Sequence, residues 1–153
     1  MAVEKALVVG ATGMVGTRLV ENLVGGGWPV VGLCQQPPKA SNGVDYVSVD
    51  LLSSDACNKI SGSLQDVTHV FYAARAKHGE GGVEPVEENL TMLQNIVGVV
   101  KTVSPVLRHV HLVHGAKYYG AHLGRYKTPA KEDDPRHISP NFYYDQQDFI
   151  VQH

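Results

Sequence analysis

The chain has 153 residues and a formal net charge of -2, with 43% hydrophobic and 18% charged residues, a balance that suits one globular domain and excludes a disordered chain. With 13 Lys and Arg against 15 Asp and Glu, no basic field argues for a nucleic-acid partner. No run approaches the ~18 apolar residues of a membrane span, Met1-Ala2-Val3-Glu4-Lys5 lacks the pattern of a secretory leader, and Cys34 and Cys57 have no paired-motif spacing, so a reduced, cytoplasmic protein is expected.

Ala6 to Val9 is a short apolar run with β-branched members, ended by Gly10, as expected of a strand buried on both faces of a parallel sheet. From Met14 to Val24, Val15, Leu19, Val20 and Leu23 recur at helical spacing, and Gly25-Gly26-Gly27 ends that helix. Val30 to Cys34 reads as a second strand, Gln35 to Gly43 as a loop, and Tyr46 to Val49 as a third strand ending at Asp50. Ser53 and Ser54 suit the cap of a short helix reaching about Ile60. His69 to Ala74 is the fourth strand. Pro85 suits the first turn of a long helix whose buried face is Val86, Leu90, Leu93, Ile96, Val97 and Val100. His109 to Val113 is the fifth strand, Tyr118 to Pro140 a functional loop, and Phe142 begins another helix. Strands alternating with helices imply βαβ units with right-handed crossovers. The expectation is a doubly wound, Rossmann-type α/β domain over residues 1–153, with strand order 3-2-1-4-5.

Gly10-Ala11-Thr12-Gly13-Met14-Val15-Gly16 is a GxxGxxG run that follows the first strand and opens the first helix. That context is what a dinucleotide-binding turn requires. Gly10 permits the tight turn, Gly13 lets backbone approach a pyrophosphate, and Gly16 lets helix and strand pack closely. Free N–H groups and the helix dipole would face phosphate oxygens. The competing reading is a glycine-rich turn without a ligand. In open α/β sheets ligands lie outside the carboxyl ends of the strands. The candidate dinucleotide site is therefore Gly10, Thr12, Gly13, Met14, Val15 and Gly16, with Gln35, Gln36, Asp50, Leu51, Ala73, Ala74, Arg75 and Lys117 beyond the strand ends. The second strand ends in Cys34-Gln35-Gln36-Pro37-Pro38-Lys39, with neither the acid that binds the ribose of NAD nor the Arg that takes the phosphate of NADP. Absence of the acid and proximity of Lys39 tilt the choice toward NADP, with NAD the alternative. Asp50 suits acceptance from an adenine amino group, or an ordinary exposed turn.

His114-Gly115-Ala116-Lys117-Tyr118-Tyr119 leaves the fifth strand, and Asn141-Phe142-Tyr143-Tyr144-Asp145 follows the long loop. A Tyr hydroxyl beside a Lys ammonium is a pair able to stabilise a developing oxyanion. These two segments, with Ala6 to Gly16 and Asp66-Val67-Thr68-His69-Val70-Phe71-Tyr72, resemble the progesterone 5-beta-reductase and iridoid synthase-like group of extended short-chain dehydrogenases/reductases. That group lacks the usual YxxxK motif and draws its lysine from the loop after the fifth strand. Gln147, four residues after Tyr143, matches that arrangement. The resemblance implies Lys117 and Tyr143 as catalytic residues, Tyr144 as the fallback, and NADPH-dependent reduction of the activated C=C of a small enone through an enolate. The alternatives are a carbonyl reductase or nucleotide-sugar epimerase/dehydratase on the same scaffold, and a non-catalytic dinucleotide-binding module.

Departures from the group include His114 where a small hydroxyl residue is usual, and Ala73-Ala74-Arg75-Ala76 where an aromatic often follows the fourth strand. Members of the group are substantially longer. The expectation is therefore an incomplete domain, weakly active or inactive on its own, with self-association through the edge left at the fifth strand and an unburied face around Phe149, Ile150 and Val151. Among the eight histidines, His109 and His111 could share a face, but no third ligand has compatible spacing and no metal is expected. Glu132-Asp133-Asp134 reads as a solvated turn. Asn89 reads as a surface residue, or as support for the loop after the fifth strand.

Overall fold

The computed structural model describes residues 4–41, 43–79, 84–138 and 140–152. Met1, Ala2 and Val3, which entered the targeting reading, lie outside them. Five short strands, β1 (Ala6–Val9), β2 (Val30–Cys34), β3 (Val44–Ser48), β4 (His69–Tyr72) and β5 (His109–Leu112), form one parallel sheet of order β3-β2-β1-β4-β5. That is the order expected from the sequence. The register pairs Val9 with Leu33 on one side and with Tyr72 on the other, and Tyr72 with Leu112. The strands therefore end level, and the loops leaving them gather along one rim.

Among the described residues, four α-helices cover the sheet: α1 (Met14–Gly25), α2 (Ser54–Lys59), α3 (Val86–Val103) and α4 (Phe142–Gln152). Alternation along β1 decides which side each residue serves. Ala6 and Val8 join Val20 of α1 and Val30 in one core, whereas Leu7 and Val9 join Leu93, Ile96, Val97 and Val100 of α3 in the other. The four β1 residues are all buried, which is why the run is apolar without alternation. Ser53 caps α2, its hydroxyl accepting from the Ala56 amide at 3.2 Å. Cys34 and Cys57 are buried free thiols.

Several boundaries differ from expectation. β3 begins at Val44, β4 stops at Tyr72, and Pro85 is the N-cap of α3 rather than a residue of its first turn. The loop after β5 starts with a 3-10 turn, Ala116–Tyr119. Two readings are corrected. Phe149 and Ile150 are partly buried against the sheet core, because α4 lies along α3 and β5, and only Val151 of that trio, at 79%, faces solvent. Asn89 is fully buried rather than on the surface. Its Oδ1 accepts from the Ala76 amide at 2.9 Å, its Nδ2 donates to the Pro85 carbonyl at 2.8 Å, and its carbonyl accepts from Gln146 Nε2 of α4 at 3.0 Å. It thus supports the loop after β4 and not the one after β5. That loop leaves the sheet with an amide that has no ladder partner, and a short side-chain amide on α3 meets the need. Among the described residues, no helix is long and apolar enough to cross a membrane.

Candidate functional site

The glycine-rich turn is built by contact. Gly10 has φ +84, and a Cβ on it would lie 2.9 Å from Ala74 backbone atoms. A Cβ on Gly16 would lie 2.0 Å from the Gly10 carbonyl oxygen, so only glycine lets α1 start this close to β1. Gly13 is the N-cap of α1 with no side-chain cap. The amides of Met14, Val15 and Gly16 open the first turn with no helical carbonyl ahead of them. The side chains of Met14 and Val15 point outward, at 91% and 45% exposure, so these two residues offer backbone only.

A groove of about 800 Å³ runs along the rim from this turn. Of the predicted cofactor residues, Gly10, Thr12, Gly13, Gln35, Gln36, Asp50, Leu51, Ala73, Ala74 and Arg75 line it. Met14, Val15, Gly16 and Lys117 do not, and neither does Lys39. Asp50 lies at the groove, but its Oδ1 accepts from the Leu52 amide at 3.0 Å, so the carboxylate also holds its own turn. The turn, the free amides and the elongated groove together suit a dinucleotide: backbone donors for the pyrophosphate at one point, and space on either side of it for the two nucleosides.

The polar cluster stands at the end of β5. Tyr143, in the first turn of α4, packs its ring on His114 (centroids 4.4 Å apart, 29° between planes). Its hydroxyl lies against Gly115, where a Cβ would come within 3.5 Å of it, and makes no hydrogen bond among the described residues. Tyr144 differs. It is buried, and its hydroxyl donates to the Tyr118 carbonyl at 2.6 Å and accepts from the His137 amide at 3.1 Å. The fallback tyrosine is therefore committed to structure, while Tyr143 keeps a free hydroxyl.

The backbone of Lys117 is fixed, since its carbonyl accepts from Asn141 Nδ2 at 2.9 Å and from His137 Nε2 at 3.0 Å. Its ammonium donates to Glu84 Oε1 and, among the described residues, makes no hydrogen bond to Tyr143. Glu84 also receives Arg75 Nη2, at 2.5 Å. Sequence reasoning missed Glu84 altogether, because a single acid ahead of a helix reads as an ordinary dipole partner. It also missed Gln146, a buried side chain that joins α4 to Asn89.

His114 is half-buried, with Nε2 enclosed and without a hydrogen-bond partner among the described residues. Burial drives its pKa down to about 4; a hydrogen bond with Gln146 opposes the drop, and the neighbouring His111 adds to it. The ring beside Tyr143 is thus neutral near pH 7. Glu132 and Asp133 are exposed, as read from the sequence, whereas Asp134 is partly buried, pairing with Lys127 and accepting from the Lys131 amide at 2.8 Å. His109 and His111 have ring centroids 6.3 Å apart, and among the described residues no three His, Cys, Asp or Glu side chains converge to hold a metal ion.

A model of the NAD dependent epimerase/dehydratase family matches residues 6–152. The chain is 36% identical to the 3-oxo-Delta(4,5)-steroid 5-beta-reductase of Arabidopsis thaliana, over 96% of this chain and 41% of that protein. It is 38% identical to an (S)-8-oxocitronellyl enol synthase of Nepeta racemosa, with the same shares covered. The chain thus spans about two fifths of the length of these relatives. Among solved structures, a short-chain dehydrogenase/reductase superfamily protein from Agrobacterium tumefaciens with bound NAD superposes at TM-score 0.74 with 17% identity, over 97% of this chain and 44% of that one. The yeast methylglyoxal/isovaleraldehyde reductase complexed with NADPH superposes at TM-score 0.62 with 18% identity, over 75% of this chain and 38% of that one.

Proposed function

The chain belongs to the NAD dependent epimerase/dehydratase family, and from that premise we propose that it binds NADPH, with NAD as the alternative, and serves the reduction of the activated C=C bond of small enones. Two named relatives support the substrate class. A 3-oxo-Delta(4,5)-steroid carries a ketone conjugated to a C=C bond, and the second relative forms an enol. The observation that carries the reading is the position of Tyr143, whose hydroxyl stands unengaged at the end of β5 on the rim that also holds the groove.

The residues divide the work. The α1 amides and Gly13 hold the pyrophosphate, and Gln35, Gln36, Asp50 and Leu51 flank the adenosine end. Ala73, Ala74 and Arg75 border the other end. A dinucleotide held by these residues would supply the hydride that the β-carbon of the enone takes up. Tyr143 donates a hydrogen bond to the carbonyl oxygen as negative charge develops on it. The Lys117 ammonium, swung from Glu84, favours negative charge at the same place. His114 holds the Tyr143 ring flat and, being neutral, adds no charge.

Titration of the purified chain with NADPH and NADH, followed by nucleotide fluorescence and melting temperature, tests the first half, because a ligand that binds only the folded state raises the melting temperature. No shift with either nucleotide at millimolar concentration overturns the reading. Product analysis with an enone tests the second half. Saturated ketone, lost in Lys117→Ala and Tyr143→Phe, supports it. Allylic alcohol indicates carbonyl reduction, and nucleotide binding without turnover indicates a dinucleotide-binding module.

A further inference from the structure

Glu84 lies outside the lining of the groove and outside every motif in the sequence, yet it joins the two halves of the site. One oxygen, Oε1, takes Lys117 from the end of β5 and Arg75 from the loop after β4. His78 Nε2 lies 3.3 Å from the same oxygen and also contacts Arg75. The other oxygen, Oε2, is buried and has no partner among the described residues. Burial raises the pKa of Glu84, but hydrogen bonds from Lys117 and Arg75 outweigh it and hold the carboxyl below the ordinary range, so the group is an anion at neutral pH.

This arrangement is unbalanced in a telling way. Two cations converge on one carboxylate oxygen while its twin finds no partner among the described residues, which is costly for an enclosed anion. Arg75 lines the groove and Lys117 is the cation assigned to Tyr143, and neither has another acidic partner among the described residues. Both are thus occupied by the chain's own acid. We propose that Glu84 is a positioning residue that sets dinucleotide affinity: it holds Arg75 and Lys117 in the ligand-free chain and yields both when an anionic dinucleotide binds. The inference rests on the dinucleotide reading of the groove. One negative charge now offsets two positive ones; its removal strengthens the field that the diphosphate meets. Arg75 and Lys117 side chains are each 37% exposed, so the gain is moderate and salt-dependent.

The test compares the wild-type chain with Glu84→Gln and Glu84→Asp. NADPH is titrated at low and high ionic strength, and labelling of Lys117 by an amine-reactive acylating reagent is read by mass spectrometry in the ligand-free proteins. Glu84→Gln is expected to tighten NADPH binding roughly three- to ten-fold at low salt, less at high salt, and to increase Lys117 labelling. Glu84→Asp keeps the charge but shortens the reach, and shows smaller changes in the same direction. Unchanged or weaker NADPH binding, or unchanged Lys117 labelling, in a variant whose melting temperature is preserved overturns the proposal. If Glu84→Gln fails to fold, Glu84→Asp carries the same test. If the wild-type chain binds no nucleotide, the dinucleotide reading fails and this affinity role fails with it, while Lys117 labelling in the Gln variant still reports whether Glu84 restrains the lysine.

Discussion

Acidification is expected to weaken the fold through His114. An ordinary histidine titrates near ~6.5, and burial lowers His114 to about 4 in the folded chain. As pH falls below about 6.5 the unfolded chain takes up this proton and the folded chain does not. The sign follows directly: stability is full above about pH 6.5, is lost as pH falls toward 4, and loses nothing further from this group below that. At about 1.4 kcal/mol per tenfold change in proton affinity, the full difference is about 3 kcal/mol. The ring is only half-buried, and solvent screening reduces this to about 2 kcal/mol. Asp66, Asp134 and Asp148, held below the ordinary carboxylate range chiefly by hydrogen bonds from Lys5, Lys127 and Arg136, lose their contributions only at pH below about 4, outside this window. Urea denaturation of the wild-type chain and of His114→Phe, at a series of pH values from about 7 to 4, isolates the effect. Phenylalanine keeps the stack on Tyr143 and cannot titrate. The wild type should lose about 2 kcal/mol more than the variant across that range. Equal losses in the two proteins would refute the assignment of the acid-sensitive step to His114.

Tyr72→Phe should raise stability by about 1 kcal/mol, because the Tyr72 hydroxyl is buried with no partner among the described residues and its removal relieves a desolvation cost; a lower midpoint in urea contradicts this. Asn89→Ala removes the side-chain partners of the Ala76 amide and the Pro85 carbonyl, and should cost about 2–3 kcal/mol. The same change should increase hydrogen exchange at Ala76, and an unaltered rate there would argue against support of that loop by Asn89. Gly16→Ala places a methyl 2.0 Å from the Gly10 carbonyl, so α1 must shift; lost NADPH binding is expected, and retained binding would show that the turn tolerates the displacement.

The groove half of the site was legible because backbone carries it. Gly10 and Gly16 are required by contacts a Cβ cannot survive, and β1 shows its double burial as an unbroken apolar run. Level strand ends then place Gln35, Asp50 and Ala73 on one rim with no further information. What sequence could not show is which side chains meet across loops. Asn89 sits one position before Leu90 on α3, and a small rotation of the assumed helical face moves it from solvent to core. Glu84 meets Lys117 across thirty-three positions, a pairing that no local pattern encodes. Phe149 and Ile150 looked unburied because their partners belong to α3 and the sheet, far away in the chain.

The two tyrosines show how the structure separates side chains that spacing leaves equivalent. Tyr143 and Tyr144 are adjacent on α4 and point to different sides. Tyr144 turns toward Tyr118 and His137 and spends its hydroxyl on backbone groups of both. Tyr143 turns toward His114 and Gly115, where its hydroxyl makes no hydrogen bond among the described residues. The fixed side of this arrangement is a relay of buried amides: Gln146, one turn beyond Tyr143, bonds to Asn89, and Asn89 bonds to Ala76 in the loop that carries Arg75. The helix presenting Tyr143 is therefore tied to the loop presenting Arg75 by rigid contacts. Lys117, the cation proposed to act with Tyr143, is held instead by the side chain of Glu84. Preorganised backbone with one movable ion pair is the arrangement expected of a site whose charge must change when an anionic ligand arrives.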